Sequence, residues 1–145
     1  MFNDTITLFN FYNGIWYRHI IPRVDAGAVD ASSKTVSAGD TRSSSVTLLI
    51  NTQFDKSIQT EGGVRIYLAP KEYARLADPI LSQAITFDDK HDFIVLGAVY
   101  GDDPVNDDDY ESGFYDHVYS RYDNVYRIVS AAWYGLIPHF EIGAR

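Results

Sequence analysis

Residues 5–11, Thr-Ile-Thr-Leu-Phe-Asn-Phe, alternate polar with apolar positions, and that period of two predicts a short strand with Ile6, Leu8 and Asn10 on one face. Tyr12-Asn13-Gly14 follows, and an Asn-Gly pair between two apolar runs supplies the positive φ of a tight hairpin. Residues 15–24 return as the second strand. Pro22 has no amide to give the ladder and predicts an edge or a bulge near that strand's end. From 25 to 45 the chain turns to Ala, Gly, Ser, Thr and Asp, with Val29 and Val36 as the larger apolar residues. So little apolar surface predicts either one weak strand around 29–36 or an extended arm that orders against a partner. Residues 45–51 (Ser-Val-Thr-Leu-Leu-Ile-Asn) read as a buried strand.

After a polar loop ending in Glu61-Gly62-Gly63, residues 64–68 predict another strand, closed by Pro70. Residues 70–77 hold helix formers behind a proline suited to a first helical position, enough for one or two turns. Residues 92–100 are strongly apolar, with Gly97 marking a bulge or a close backbone approach. Residues 101–123 mix acids with Tyr110, Phe114, Tyr115, Tyr119 and Tyr122 and read as a long loop or mobile hairpin. Two closing strands are expected at 125–134 and 136–142, joined by a tight turn at Tyr134-Gly135. No repeat of 20–50 residues is visible. Short strands with at most one short helix predict a mainly β fold, a small antiparallel β-barrel or sandwich with long loops, as one domain over 1–145.

Composition narrows the function classes. Eleven tyrosines, eight phenylalanines and two tryptophans suit packed sheets. A net charge of −8 opposes wrapping around phosphates, which argues against sequence-specific DNA binding. With no cysteine there is neither a disulfide scaffold nor thiol chemistry. Residues 1–10 contain no basic n-region or apolar h-region, and no stretch approaches the ~18 apolar residues of a membrane span, so a soluble intracellular product without membrane contact is expected.

Candidate chemistry is sparse. Asp102, Asp103, Asp107, Asp108, Asp109 and Glu111 form an acidic run that could offer oxygen ligands to calcium. Their spacing is not that of an EF-hand loop, and a solvated, mutually repelling loop or a docking face for a basic partner fits better. His19, His91, His117 and His139 are isolated and expected at the surface or an interface. Ser43-Ser44-Ser45 lacks a nucleophile elbow, and Gly62-Gly63 lacks the lysine of a phosphate loop. No catalytic set, metal or cofactor is therefore expected. The tyrosines beside carboxylates fit strand packing, a protein interface or a glycan site. The candidate contact residues are Asp103, Asp107, Asp108, Asp109, Tyr110, Phe114, Tyr115 and Tyr119.

Three passages carry a family resemblance: Ile15-Trp16-Tyr17-Arg18-His19-Ile20-Ile21-Pro22 before a polar loop and the strand 46–50; Val64-Arg65-Ile66-Tyr67-Leu68-Ala69-Pro70 leading into residues 85–97; and Val125-Tyr126-Arg127-Ile128-Val129-Ser130-Ala131 followed by His139-Phe140-Glu141-Ile142-Gly143. In this order they resemble the head-completion and head-to-tail joining proteins of tailed bacteriophages, known as stopper, neck or minor capsid proteins. The resemblance implies a non-enzymatic β-barrel subunit of a homo-oligomeric ring in the virion, assembled in the host bacterial cytoplasm. Its partners would be the portal or adaptor above and tail proteins below, and it would help to retain packaged DNA that passes without sequence-specific binding. Residues 101–111 are a larger insertion than a minimal stopper has. The alternative reading is a carbohydrate-binding β-sandwich using its aromatic residues and acidic loop.

Overall fold

The computed structural model describes residues 3–27, 30–31, 44–76 and 83–145. The fold is mainly β, as the period of two predicts. β1 (Asp4–Tyr12) and β2 (Ile15–Asp25) form the N-terminal hairpin, with Asn13 and Gly14 at φ 54° and 80° in its turn. β3 (Asp30–Ala31), β4 (Ser44–Asn51), β5 (Ile58–Thr60), β6 (Gly63–Tyr67), the single-turn helix α1 (Pro70–Tyr73) and β7 (Ala84–Ile85) follow. The chain continues with β8 (Phe93–Leu96), β9 (Val105–Asn106), a 3-10 turn at Asp107–Asp109, helix α2 (Phe114–Arg121), β10 (Val125–Tyr134) and β11 (His139–Ala144).

Seven strands form an antiparallel sheet in the order β4-β11-β10-β8-β1-β2-β9, with β3 bridging onto β4. A three-stranded unit, β5-β6-β7, packs beside β2, where the Glu61 amide donates to the Ile20 carbonyl at 2.8 Å. The large sheet rolls until β2 meets β4, but only Val24↔Ile50 and Asp25↔Leu49 pair there. Rolled but not closed into a barrel, the fold is sandwich-like. Pro22 accounts for the turn of β2 from one neighbour to the other. Asp4 and Ile6 of β1 pair with Val24 and Ile21, so β2 carries an extra residue, and Arg23 sits at φ 56°. That bulge bends the strand off β1 and onto β4.

β1 and β8 are buried on both faces. Ile6, Leu8, Ile21, Leu48, Ile94 and Ile142 fill the interior of the roll, and α2 covers the outer face by packing Phe114 and Val118 against Phe9, Trp16, Phe93 and Val95. Phe9 stacks on Phe93 at 4.9 Å and meets Phe114 edge-on at 5.1 Å. Truncating any of the three to alanine would cost about 3–5 kcal/mol, because the neighbouring rings cannot collapse into the space.

Several expectations are corrected. The apolar run 92–100 pairs only at Phe93–Leu96. Gly97, at φ 119°, then turns the chain, and the Thr7 hydroxyl ties that turn down by donating to the Gly97 carbonyl and accepting from the Val99 amide. Residues 101–123 are not a loop or hairpin, because β9, the 3-10 turn and the eight-residue α2 occupy them. The second closing strand starts at His139 rather than 136, leaving Leu136 and Ile137 in the turn, since Pro138 has no amide for a ladder. Short strands β5, β7 and β9 were not foreseen. Of the expected strand around 29–36, Asp30 and Ala31 pair with β4; residues 28, 29 and 32–43 of the expected arm, and Ala77 of the expected helix, lie outside the described residues.

Candidate functional site

The acidic, aromatic segment is built onto the sheet by a few fixed contacts. Asp107 Oδ1 accepts from Trp16 Nε1 at 2.9 Å and from the Phe114 amide at 2.8 Å, so one carboxylate joins β2 to the first turn of α2. The Asn106 side chain caps the 3-10 turn by accepting the Asp108 amide at 3.0 Å. Asp103 accepts the Arg18 amide at 3.0 Å, and the Arg18 guanidinium donates to the carbonyls of Val99 and Asp102 while lying over the Phe9 ring. Burial lowers the Arg18 pKa from its ordinary value, against the pull of Asp103.

The predicted contact residues therefore divide. Phe114 is core, and Asp103 and Asp107 are structural anchors. Tyr110 is half-buried against Phe114 and His117, and Tyr115 lies half-buried between Phe93 and the guanidinium of Arg127, which is 3.9 Å from its ring centre. Asp108, Asp109 and Tyr119 are exposed and remain free to meet a partner. Between this segment and β2 lies an open hollow of about 320 Å³ that includes Arg18, Tyr100, Tyr110, His117, Arg121 and Tyr122. Among the described residues no three or more His, Asp or Glu side chains converge as a metal site.

A second surface escaped sequence reasoning. The turn between β10 and β11 exposes Leu136 at 95% and Ile137 at 71%, and Phe54 in the β4–β5 loop is 74% exposed. Turn and loop are tied together: the Thr52 amide donates to the Pro138 carbonyl, Trp133 Nε1 donates to Thr52 Oγ1, and Lys56 sits over the Trp133 ring. His139 braces the turn, with Nδ1 2.6 Å from the Ile137 carbonyl and Nε2 3.1 Å from Glu141. Those two acceptors, the carbonyl first, raise its pKa. The available signal was Pro138, which bars a strand from running through Leu136 and Ile137.

Inside the roll lies a polar strip. Asp92 accepts from Asn10 Nδ2 and from the amides of Phe11 and Asp88, and Asn10 also bonds the Thr86 backbone in both directions. Burial outweighs these donors and pushes Asp92 up to about 8. His19 was expected at a surface or interface and is instead buried; burial, and then Arg65, push it down to about 3. Neither His19 ring nitrogen has a hydrogen-bond partner among the described residues. No described helix is long and apolar enough to cross a membrane.

A family model described as a family of unknown function, DUF6751, matches residues 1–145. No curated protein and no solved structure matches the chain.

Proposed function

We propose that this chain, which belongs to the DUF6751 family of unknown function, is a non-enzymatic structural protein of the tailed-bacteriophage virion, a ring subunit at the head-to-tail interface. In this role it joins the portal or adaptor to the tail and helps to retain packaged DNA. The observation that carries the reading is the exposed apolar end formed by Leu136, Ile137 and Phe54. Side chains of this size held in water by a braced turn favour contact with another protein over catalysis. The acidic surface from Asp102 to Glu111 adds a second face of different character, as a subunit placed between two partners needs. A charge of −8 repeated around a ring repels phosphate, which lets DNA slide past without sticking.

The test is a deletion of the gene from a phage that carries it, followed by negative-stain microscopy. Full heads without attached tails, or heads that lose their DNA, are expected. Normal virions would end the proposal. The alternative of a carbohydrate-binding module draws on the hollow beside Arg18, where Tyr100 and Tyr122 present exposed rings. Calorimetric titration with oligosaccharides addresses it, and heat that disappears in Tyr122→Ala would favour it over the virion reading.

A further inference from the structure

The edge of β10 that faces away from β11 is paired only at its start. Val125, Tyr126 and Arg127 pair with β8, and the Ile128 amide donates to the Asp92 carbonyl at 3.1 Å. Beyond that point no described strand lies against residues 129–134, Val-Ser-Ala-Ala-Trp-Tyr. Val129, Ser130, Ala131, Ala132 and Tyr134 are exposed and Trp133 is half-buried. Proteins ordinarily blunt such an edge with lysine, proline or a covering element, and these six residues contain no charge and no proline. Alternation along the ladder turns every second residue's amide and carbonyl away from β11. With Tyr134↔His139 closing the hairpin, those residues are Ala131 and Trp133.

We propose that residues 129–134 pair antiparallel with the same residues of a second copy of this chain, about a twofold axis at Ala132. Ala131 of one copy then exchanges backbone hydrogen bonds with Trp133 of the other, twice over, and the two sheets run on as one. The small side chains of Ala131 and Ala132 let the edges approach without a clash.

Two further observations select the chain's own copy as occupant. In this register position 136 of one copy comes level with position 128 of the other. A groove of about 240 Å³ lies there, where Tyr67, Phe87, Ile128 and Val129 face the polar side chains of Asp89 and Ser130. The exposed Leu136 and Ile137 thus arrive at a groove of mixed character, where the rings of Tyr67 and Phe87 and the side chain of Val129 can receive them. Charge agrees as well. From 128 to 144 the only acidic or basic side chains are His139 and Glu141, which bind each other. The neighbouring charges are one of each sign, Lys56 over Trp133 and Asp89 in the groove, so on a chain of net charge −8 this patch carries little net charge and a second copy meets little repulsion, whereas a basic partner would be drawn to the acidic surface instead. The contact does not depend on the head-to-tail reading.

Light scattering coupled to size-exclusion chromatography of the full chain, loaded from about 10 to about 500 µM, reads the association. A concentration-dependent dimer is expected, with amide exchange at Ala131 and Trp133 slowed as it forms. Ala132→Glu places two carboxylates at the twofold axis and is expected to weaken the dimer at least tenfold, as is Ala132→Lys. Mixing the two variants should restore a heterodimer. Circular dichroism and melting of each variant show whether the fold is kept, and the exchange measurement on the unmodified chain stands even if a variant fails to fold. A monomer throughout the range overturns the proposal. So does a dimer or ring that neither substitution weakens, or one in which the exchange at Ala131 and Trp133 does not change.

Discussion

Asp92 and His19 make the pH dependence of stability a sharp test of the buried polar strip. Asp92 is pushed from 3.8 up to about 8, so the folded chain holds a proton that the unfolded chain releases near pH 4. His19 is pushed from 6.5 down to about 3, so the unfolded chain binds a proton that the folded chain refuses. Between about pH 4 and 6.5 each state therefore carries one proton on this pair of groups, and their contributions to the slope cancel. Above 6.5 the unfolded histidine is neutral while folded Asp92 remains protonated, and stability falls as pH rises until about 8. At about 1.4 kcal/mol per unit over roughly 1.5 units, the loss is about 2 kcal/mol. Below about pH 4 the unfolded chain binds both protons against one in the fold, and stability falls again. Urea denaturation at half-unit steps from pH 3.5 to 8.5 measures the profile. Asp92→Asn should flatten the alkaline limb and, with nothing left to offset His19, extend the acid limb upward so that stability already falls as pH drops below about 6.5. A wild-type stability that is level or rising between pH 6.5 and 8, or an alkaline limb unchanged in Asp92→Asn, would refute the reasoning. Half-buried His139, whose pKa is raised by Ile137 and Glu141, adds a small loss of the same sign that Asp92→Asn retains.

Asp107→Ala strips two donors, Trp16 Nε1 and the Phe114 amide, of their shared acceptor. It should cost about 3 kcal/mol in urea denaturation, with Asp107→Asn costing less because an acceptor oxygen remains. A loss below about 1 kcal/mol for the alanine variant would show that α2 is held by its apolar face alone. Arg127→Ala removes the cation above Tyr115 and is expected to cost about 1 kcal/mol, read by thermal melting, with Arg127→Lys recovering only part of it. Leu136→Ser is expected to change monomer stability by no more than about 0.5 kcal/mol, since the side chain is already in water, while lowering any self-association in sedimentation.

Local chemistry made much of the fold legible. The β1–β2 hairpin follows from alternation and an Asn-Gly turn, and the bulge in β2 follows from Pro22, because both are dictated within a few residues. The short strands β5, β7 and β9 were not legible, since two or three residues carry no period and owe their pairing to the elements that receive them. Helix α2 was hidden for a related reason. Its first turn depends on Asp107, seven residues before Phe114, and its apolar face shows only as Phe114 and Val118 within an acidic stretch. Of the predicted contact residues, the sequence could not separate Asp107, which holds the fold, from Asp108, which faces water, because neighbouring aspartates look alike until a tryptophan from β2 selects one. His19 and Asp92 were missed as a buried pair of opposed titrations, although Asn10 in an otherwise apolar alternation was a local sign that a polar partner lay inside.

The two-pair junction between β2 and β4 also constrains how the chain reaches its folded state. β1 and β2 can meet across a two-residue turn and β10 and β11 across a four-residue one, so both hairpins close locally. The junction closes over an intermediate separation, 26 positions from Val24 to Ile50, whereas β11 reaches β4 and β8 reaches β1 across about 90 positions. Closing the most distant contacts pays its entropy before its reward, which makes the β4–β11 and β1–β8 pairings, rather than the junction, the slow, late events. Opening follows the length of each ladder instead. With two paired positions, Val24↔Ile50 and Asp25↔Leu49, against the longer ladders elsewhere, the junction is expected to open before the rest of the sheet, read as amide exchange at Asp25 running ahead of exchange in β1 and β8, whose two buried faces keep them shut until the whole fold gives way.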